Sequence, residues 1–361
     1  DIFAIQDEIA NSIVDALRDT LGIENADTVI TVAAATSNLD AYDLFLKGRE
    51  MFIARSRENL PPAIEIAEQA VELDPDFARA WELLAALYSV APSWGVGGDD
   101  YLELSREAVD RALALEPNLA FAYGIKSQNM RGRDGYVNWT ETMALINKSL
   151  ELDPKNPTLA LWRGINYHRL GFHDQAEYDF DRCLELDPGY ENCTNHRTMI
   201  FFNKGDVDIG MARFDEQHAN ARARTTHWYQ YQVPDLVRKG DLRAARLTAG
   251  SVLHDNPVIN AWLTALGHPD EDQSERIDLL STQMTESSRA AQFVWLTIGA
   301  YDRVEADYFA HIAMWRSDQK DFRGSPDFKR VARDSGFEEY WRAHGFPPQC
   351  RAVGDDDFEC D

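Results

Sequence analysis

The chain has 361 residues, 44% of them hydrophobic and 27% charged, which allows a large core in one extended or two compact domains. Thirty-six Lys and Arg stand against 61 Asp and Glu, a formal charge of −25. Such a field repels polyphosphates and anionic headgroups, so nucleic-acid binding by this segment is disfavoured. Direct membrane insertion is not expected either, because even TVITVAAAT at 28–36 falls short of the roughly 18 apolar residues a span needs.

The N-terminal DIFAIQDEIANSIVDALRDTLG opens in mid-helix with carboxylates near its start, no basic leader and no initiator Met. Residues 1–35 are therefore read as the end of a preceding segment or as a lead-in helix and linker, with upstream sequence missing. Four helix endings follow. ELDP closes on Pro75, Pro154 and Pro188, and ALEP closes on Pro117. Their spacings are 42, 37 and 34 residues, and HDNP puts Pro257 another 69 residues on. A period near 34 predicts a tetratricopeptide (TPR) array of about six helical hairpins over residues 36–257.

The clearest unit carries Gly164, Tyr167, Gly171, Ala176, Phe180, Cys183 and Pro188 at the small, aromatic and breaker positions of that repeat. Small residues let the two helices of a hairpin approach, aromatics fill the space between hairpins, and proline stops the second helix. In FARAWELLAALY, Trp81, Leu84, Ala85 and Tyr88 share one helical face, and the glycine-rich APSWGVGGDD loop precedes the next helix. Beyond Pro257 the pattern stays helical but the repeat signature fades, which predicts further atypical hairpins over 258–345. Residues 346–361 read as an extended acidic capping tail, with Phe346 and Phe358 folding back on the apolar end. The expected fold class is all-α: a TPR helical-hairpin solenoid with an atypical helical C-terminal cap.

The four cysteines form two local pairs, Cys183 with Cys193 and Cys350 with Cys360, each ten residues apart. Two such pairs with no cysteine left over favour disulfides in an oxidising compartment. The alternative is four reduced thiols, with Cys183 filling a small-residue slot. Neither spacing suits zinc, and the acidic runs GGDD and GDDDFECD lack the alternation and closing Glu of a calcium loop. GVGG at 95–98 lacks the Lys and Ser/Thr of a phosphate loop, and no serine elbow or paired-histidine metal motif occurs. No catalytic residue, metal or cofactor is assigned.

If Trp81, Tyr123 and Ala160 hold the fourth position of their repeats, the second, fifth, ninth and twelfth positions face the concave groove. That register nominates Arg79, Glu82, Phe121, Gln128, Arg131, Leu161, Ile165, His168, Asn192, Asn195, Met199, Phe202, His227 and Gln230. The mixture of apolar, amide and cationic groups suits a peptide backbone or a carboxylate end better than a polyanion. It does not reproduce the Lys/Asn/Arg clamp of chaperone-tail receptors. The function expected is a non-enzymatic interaction, scaffold or sensor module binding a peptide, protein or small ligand. The alternative is a glycan- or metabolite-processing protein using the same groove, with acids such as Glu82 doing the chemistry; two carboxylates facing across one cavity would distinguish it. Nothing in the sequence sets the oligomeric state.

Three stretches carry a resemblance to a family. DIFAIQDEIANSIVDAL looks like the end of a TolB-like domain, NLDAYDLFLKGRE looks like the first repeat helix behind it, and PDFKRVARDSGFEEYWRAHGFPPQCRAVGDDDFEC is similar to the closing segment. Together they resemble the repeat-bearing C-terminal region of bacterial proteins that carry a winged-helix regulator or a class III nucleotide-cyclase domain upstream. The resemblance implies an upstream effector domain or membrane anchor and, for the disulfides, a periplasmic location. DNA binding or cyclase activity would belong to the upstream domain, so only a sensing or docking role carries over.

Overall fold

The computed structural model describes residues 36–54, 56–97, 100–130, 135–218, 226–253, 257–268, 271–283, 289–305 and 310–361. The expected lead-in over residues 1–35 lies outside them. Contacts divide the chain into residues 1–129 and 130–361, each described here by itself. The first unit holds α1 (Leu39–Ile53), α2 (Leu60–Leu73), α3 (Ala78–Val90), α4 (Tyr101–Leu115) and α5 (Ala120–Gln128). The second begins with α6 (Trp139–Leu152), α7 (Pro157–Arg169), α8 (His173–Leu186), α9 (Glu191–Lys204), α10 (Val207–His218), α11 (Thr226–Arg238) and α12 (Leu242–Leu253). It continues through α13 (Pro257–Gly267), α14 (Ser274–Gln283), α15 (Arg289–Ile298) and α16 (Ala310–Ala313). It ends with α17 (Lys320–Arg323), α18 (Pro326–Asp334), α19 (Phe337–His344), β1 (Cys350–Val353) and β2 (Asp357–Cys360). Consecutive helices pair as antiparallel hairpins, α1 with α2, α3 with α4, α7 with α8 and α11 with α12. The fold is a TPR-like helical solenoid.

The recurring helix ending has one physical cause. A proline disfavours the helical conformation of the residue before it, and that residue is Asp74, Glu116, Asp153 or Asp187. All four are extended, with φ between −143° and −135° and ψ between 82° and 95°. Each still donates its N–H to the carbonyl four residues back, and each offers its own carbonyl to the N–H three residues on. The chain thus turns through one tight bend and re-enters a helix four residues after the cap, at Ala78, Ala120, Pro157 or Glu191. The predicted fourth-position aromatics lock this bend. Trp81 Nε1 donates to the Pro75 carbonyl at 2.9 Å, and Tyr123 Oη donates to the Pro117 carbonyl at 3.1 Å.

Within the α7–α8 hairpin, a Cβ on Gly164 would stand 2.6 Å from the Phe180 ring, so only glycine permits this approach. Phe180, Leu161, Ile165, Ala176, Cys183, Cys193 and Ile200 form one core. A disulfide joins Cys183 to Cys193 across the bend.

The C-terminal segment is helical up to His344. It returns to residues 136–173 and is fastened there by three indoles. Trp315 Nε1 donates to the Arg169 carbonyl at 2.8 Å, Trp341 Nε1 to Leu170 at 3.0 Å, and Trp139 Nε1 to Ser335 at 2.8 Å. Gly171 (φ 86°) brings the α7–α8 turn to within 2.8 Å of the Trp315 ring, measured from the position of an added Cβ. Residues 346–361 are not wholly extended as expected. Cys350–Val353 and Asp357–Cys360 pair antiparallel, with Cys350 opposite Cys360 and a disulfide between them. Alternation decides which side is buried: Phe358 is fully enclosed by Phe328, Trp341 and Phe346, while its neighbours face outward.

Candidate interaction surfaces

In the first unit the nominated positions remain accessible. Arg79 is exposed at the start of α3, while Glu82, Phe121 and Gln128 are half-buried. Phe121 meets Phe52 of α1 edge-on, with centroids 6.4 Å apart. A second aromatic group joins α1 to the start of α3: Phe45 is 5.1 Å from buried Phe77, and Tyr42 is 6.2 Å from Phe45. From α3, the Glu82 carboxylate reaches the start of α5 and accepts the Ala122 main-chain N–H. Burial nonetheless pushes its carboxyl up to about 7, with Glu116 adding to the rise and Ala122 and Arg79 opposing it. Behind this face, Asn129 ties α5 to its neighbours: its amide donates to Ser105 Oγ at 2.8 Å, its side-chain oxygen accepts from Ser89 Oγ, and Arg106 binds its carbonyl.

The second unit differs. Leu161, Ile165, His168, Asn195, Met199 and Phe202 are all buried, so these expected groove residues are packed, not open. Leu161 and Ile165 belong to the Phe180 core. Met199 and Phe202 pack with Met211, Phe214, Tyr231 and Ile312, so the C-terminal segment itself supplies a neighbour. Residues 310–313 contact α7 and residues 317–319 contact α9, the first helices of their hairpins. Asn192 alone of this unit's described candidates is exposed. Arg131 and the side chains of His227 and Gln230 lie outside the described residues.

Sequence reasoning missed Tyr42, Phe45 and Phe52. The register rests on Trp81, Tyr123 and Ala160, none of which lies on α1, so it does not reach these positions. Gly48 gives the true register, because a Cβ there would stand 3.2 Å from Leu83 of α3. Among the described residues, no group of three or more His, Cys, Asp or Glu is placed to hold a metal ion, and no helix is long and apolar enough to cross a membrane. A depression lined by Gly205, Asp206, Asp208, Ser317 and Asp318 carries carboxylates, but Lys239 already neutralises Asp208.

No family model matches the chain. It is 21% identical over 168 residues to anaphase-promoting complex subunit 3 of Schizosaccharomyces pombe, covering 42% of this chain and 24% of that protein. It is 27% identical over 139 residues to the general transcriptional corepressor ssn6 of the same organism, covering 38% and 9%. The chain therefore spans a quarter or less of the curated relatives it matches. Among solved structures it is similar to PilW, a type IV pilus biogenesis factor, at 17% identity and a TM-score of 0.47, over 63% of this chain and 100% of that one. A tetratricopeptide repeat protein from Parabacteroides merdae matches at 17% identity and 0.45, over 71% and 98%. The repeat architecture stands on the bend geometry and hairpin packing of this chain.

Proposed function

We propose that the chain is a non-enzymatic interaction module, and that the first-helix face of its first unit holds an extended segment of a protein partner. The observation that carries this is the contrast in cover at the fifth and ninth repeat positions: Glu82 and Gln128 are half-buried beside exposed Arg79, whereas Leu161, Asn195, Ile165 and Met199 are buried in the second unit. The chemistry suits a peptide. Phe45 and Phe121 offer aromatic edges to apolar side chains, Arg79 can bind a carboxylate or carbonyl, and Glu82 can donate or accept near neutral pH. The charge of −25 opposes nucleic acid and anionic membrane as partners. Two disulfides support an oxidising compartment, which for the bacterial family resembled is the periplasm. The resemblances at the two ends support service to an upstream effector domain or membrane anchor.

A random-peptide display library panned on the immobilised chain tests the reading. Selected peptides should bind an Arg79→Ala/Phe121→Ala variant at least about tenfold more weakly. Peptides that bind both folded proteins equally would place recognition elsewhere and overturn it.

A further inference from the structure

The joint between the α7–α8 turn and the C-terminal segment holds three buried imidazoles: His311 of α16, between Arg169 and Ser335, and the pair His168 and His173. His168 ends α7 and is wholly enclosed, and His173 begins α8 and is nearly so. Asn203 of α9 lies between them, its amide nitrogen 2.5 Å from His168 Nε2 and 3.3 Å from His173 Nε2. Gln349 of the C-terminal segment brings its amide to 2.8 Å from His173 Nδ1. A neutral imidazole has one N–H and one lone pair. If Asn203 donates to both Nε2 atoms, each ring carries its proton on Nδ1. His173 then needs an acceptor, which the Gln349 side-chain oxygen becomes when that amide is turned over. A second proton on either ring would point at the Asn203 N–H donor.

The surroundings also oppose charge. From α9 comes Lys204 and from α17 comes Arg323, both acting on His173. Each charge is partly answered elsewhere: Lys204 pairs with Asp174 and Glu177 of α8, and Arg323 binds the Asp361 carbonyl. His173 in turn disfavours charge on His168. Trp315 of the C-terminal segment meets His173 edge-on at 5.9 Å, and Phe180 and His196 adjoin His168. Burial, the largest cause, lowers both imidazoles, His173 to about 3.

We propose that this joint is an acid-sensitive latch: protonation of His168 and His173 releases the C-terminal segment from α7 and α9 and uncovers the second unit's first-helix face. The sign follows from linkage. Both groups are lowered in the closed state, so the stability they give is whole above about pH 6.5 and declines as pH falls toward 3. Two protons taken up on opening raise the opening constant by up to about 100-fold per pH unit within that window. Release withdraws Ile312 from Met199 and Phe202, which keep Met211, Phe214 and Tyr231 as neighbours.

Hydrogen exchange on the whole chain, followed by mass spectrometry from pH 7.5 to 5.0 and corrected for intrinsic rates, tests the latch. Protection over 310–344 should fall at least about tenfold between pH 6 and 5, while α3 and α4 keep theirs. The His168→Gln/His173→Gln variant keeps polar partners but cannot take up protons at these two positions, and, with His311 still in place, its protection should not show the tenfold fall between pH 6 and 5. Constant protection in the natural chain, or the same pH response in the variant, overturns the proposal. If the variant does not fold, imidazole titration by NMR in the natural chain decides. Proton uptake by both rings in step with loss of protection supports the latch, and uptake near pH 6.5 with protection intact sinks it.

Discussion

Gly336→Ala tests the return of the C-terminal segment most directly. Gly336 has φ 78°, and an added Cβ would lie 2.4 Å from the Val137 carbonyl oxygen and 3.0 Å from the Tyr136 ring. Gly299 also has φ 78°, yet nothing lies within 4 Å of its Cβ position. Both substitutions therefore share a left-handed strain of about 1–2 kcal/mol, and only the first adds a collision. Relieving it requires a backbone shift of about 1 Å at Val137, judged from ordinary contact distances. Val137 N–H and Trp139 Nε1 both bind the Ser335 carbonyl, one residue before the glycine. Losing these two hydrogen bonds costs about 2 kcal/mol, with a further fraction for disturbed packing. The excess over Gly299→Ala should thus be about 2–3 kcal/mol, or roughly 4–12 °C in the midpoint for a unit of this size. Thermal melts followed by near-ultraviolet circular dichroism read the aromatic cluster. Equal midpoints for the two variants would refute the close approach of residues 136–137 and 335–336.

Two further outcomes are expected. Glu82→Gln should change the pH dependence of first-unit stability: the natural carboxyl is raised, so its favourable contribution is present below about pH 4.5 and lost as pH rises to 7. The variant should match the natural chain at pH 4.5 and exceed it by about 1–2 kcal/mol at pH 8 in urea unfolding; a slope unchanged by the substitution would contradict this. Asp179→Ala removes a buried carboxylate that grips Arg163 through bonds of 2.8 and 2.6 Å. It should cost about 2–4 kcal/mol in guanidinium unfolding of the second unit, and a loss below about 1 kcal/mol would mean that solvent satisfies Arg163.

The repeated bend was legible because it is local: a proline fixes the conformation of the residue before it, wherever the helices later go. The same locality made Trp81 and Tyr123 readable, since each bonds a carbonyl six residues back. The burial of His173, Met199 and Phe202 was not readable, because their neighbours include Gln349, Trp315 and Ile312, far along the chain. Cys350 and Cys360 suggested a closed loop, and the structure adds cross-strand pairing around it. Counting positions nominated Leu161 and Ile165 for the groove, and both lie in the Phe180 core. It could not say that the chain would spend half of the first-helix side on itself.

The three indole clasps change what kind of object the second unit is. In an open array each repeat touches only its neighbours, so stability is a sum over modules and repeats can be added or deleted at little cost. Here Trp139 and Ser335, 196 positions apart, share a bond, and the unit becomes a circuit. Removing one hairpin between α9 and α14 would shift everything after it and deny Trp315 and Trp341 their carbonyls. Evolution by duplication is therefore constrained in this unit. Its folding must wait for the last fifty residues, and closing so long a loop makes assembly slow and all-or-none compared with a linear repeat protein.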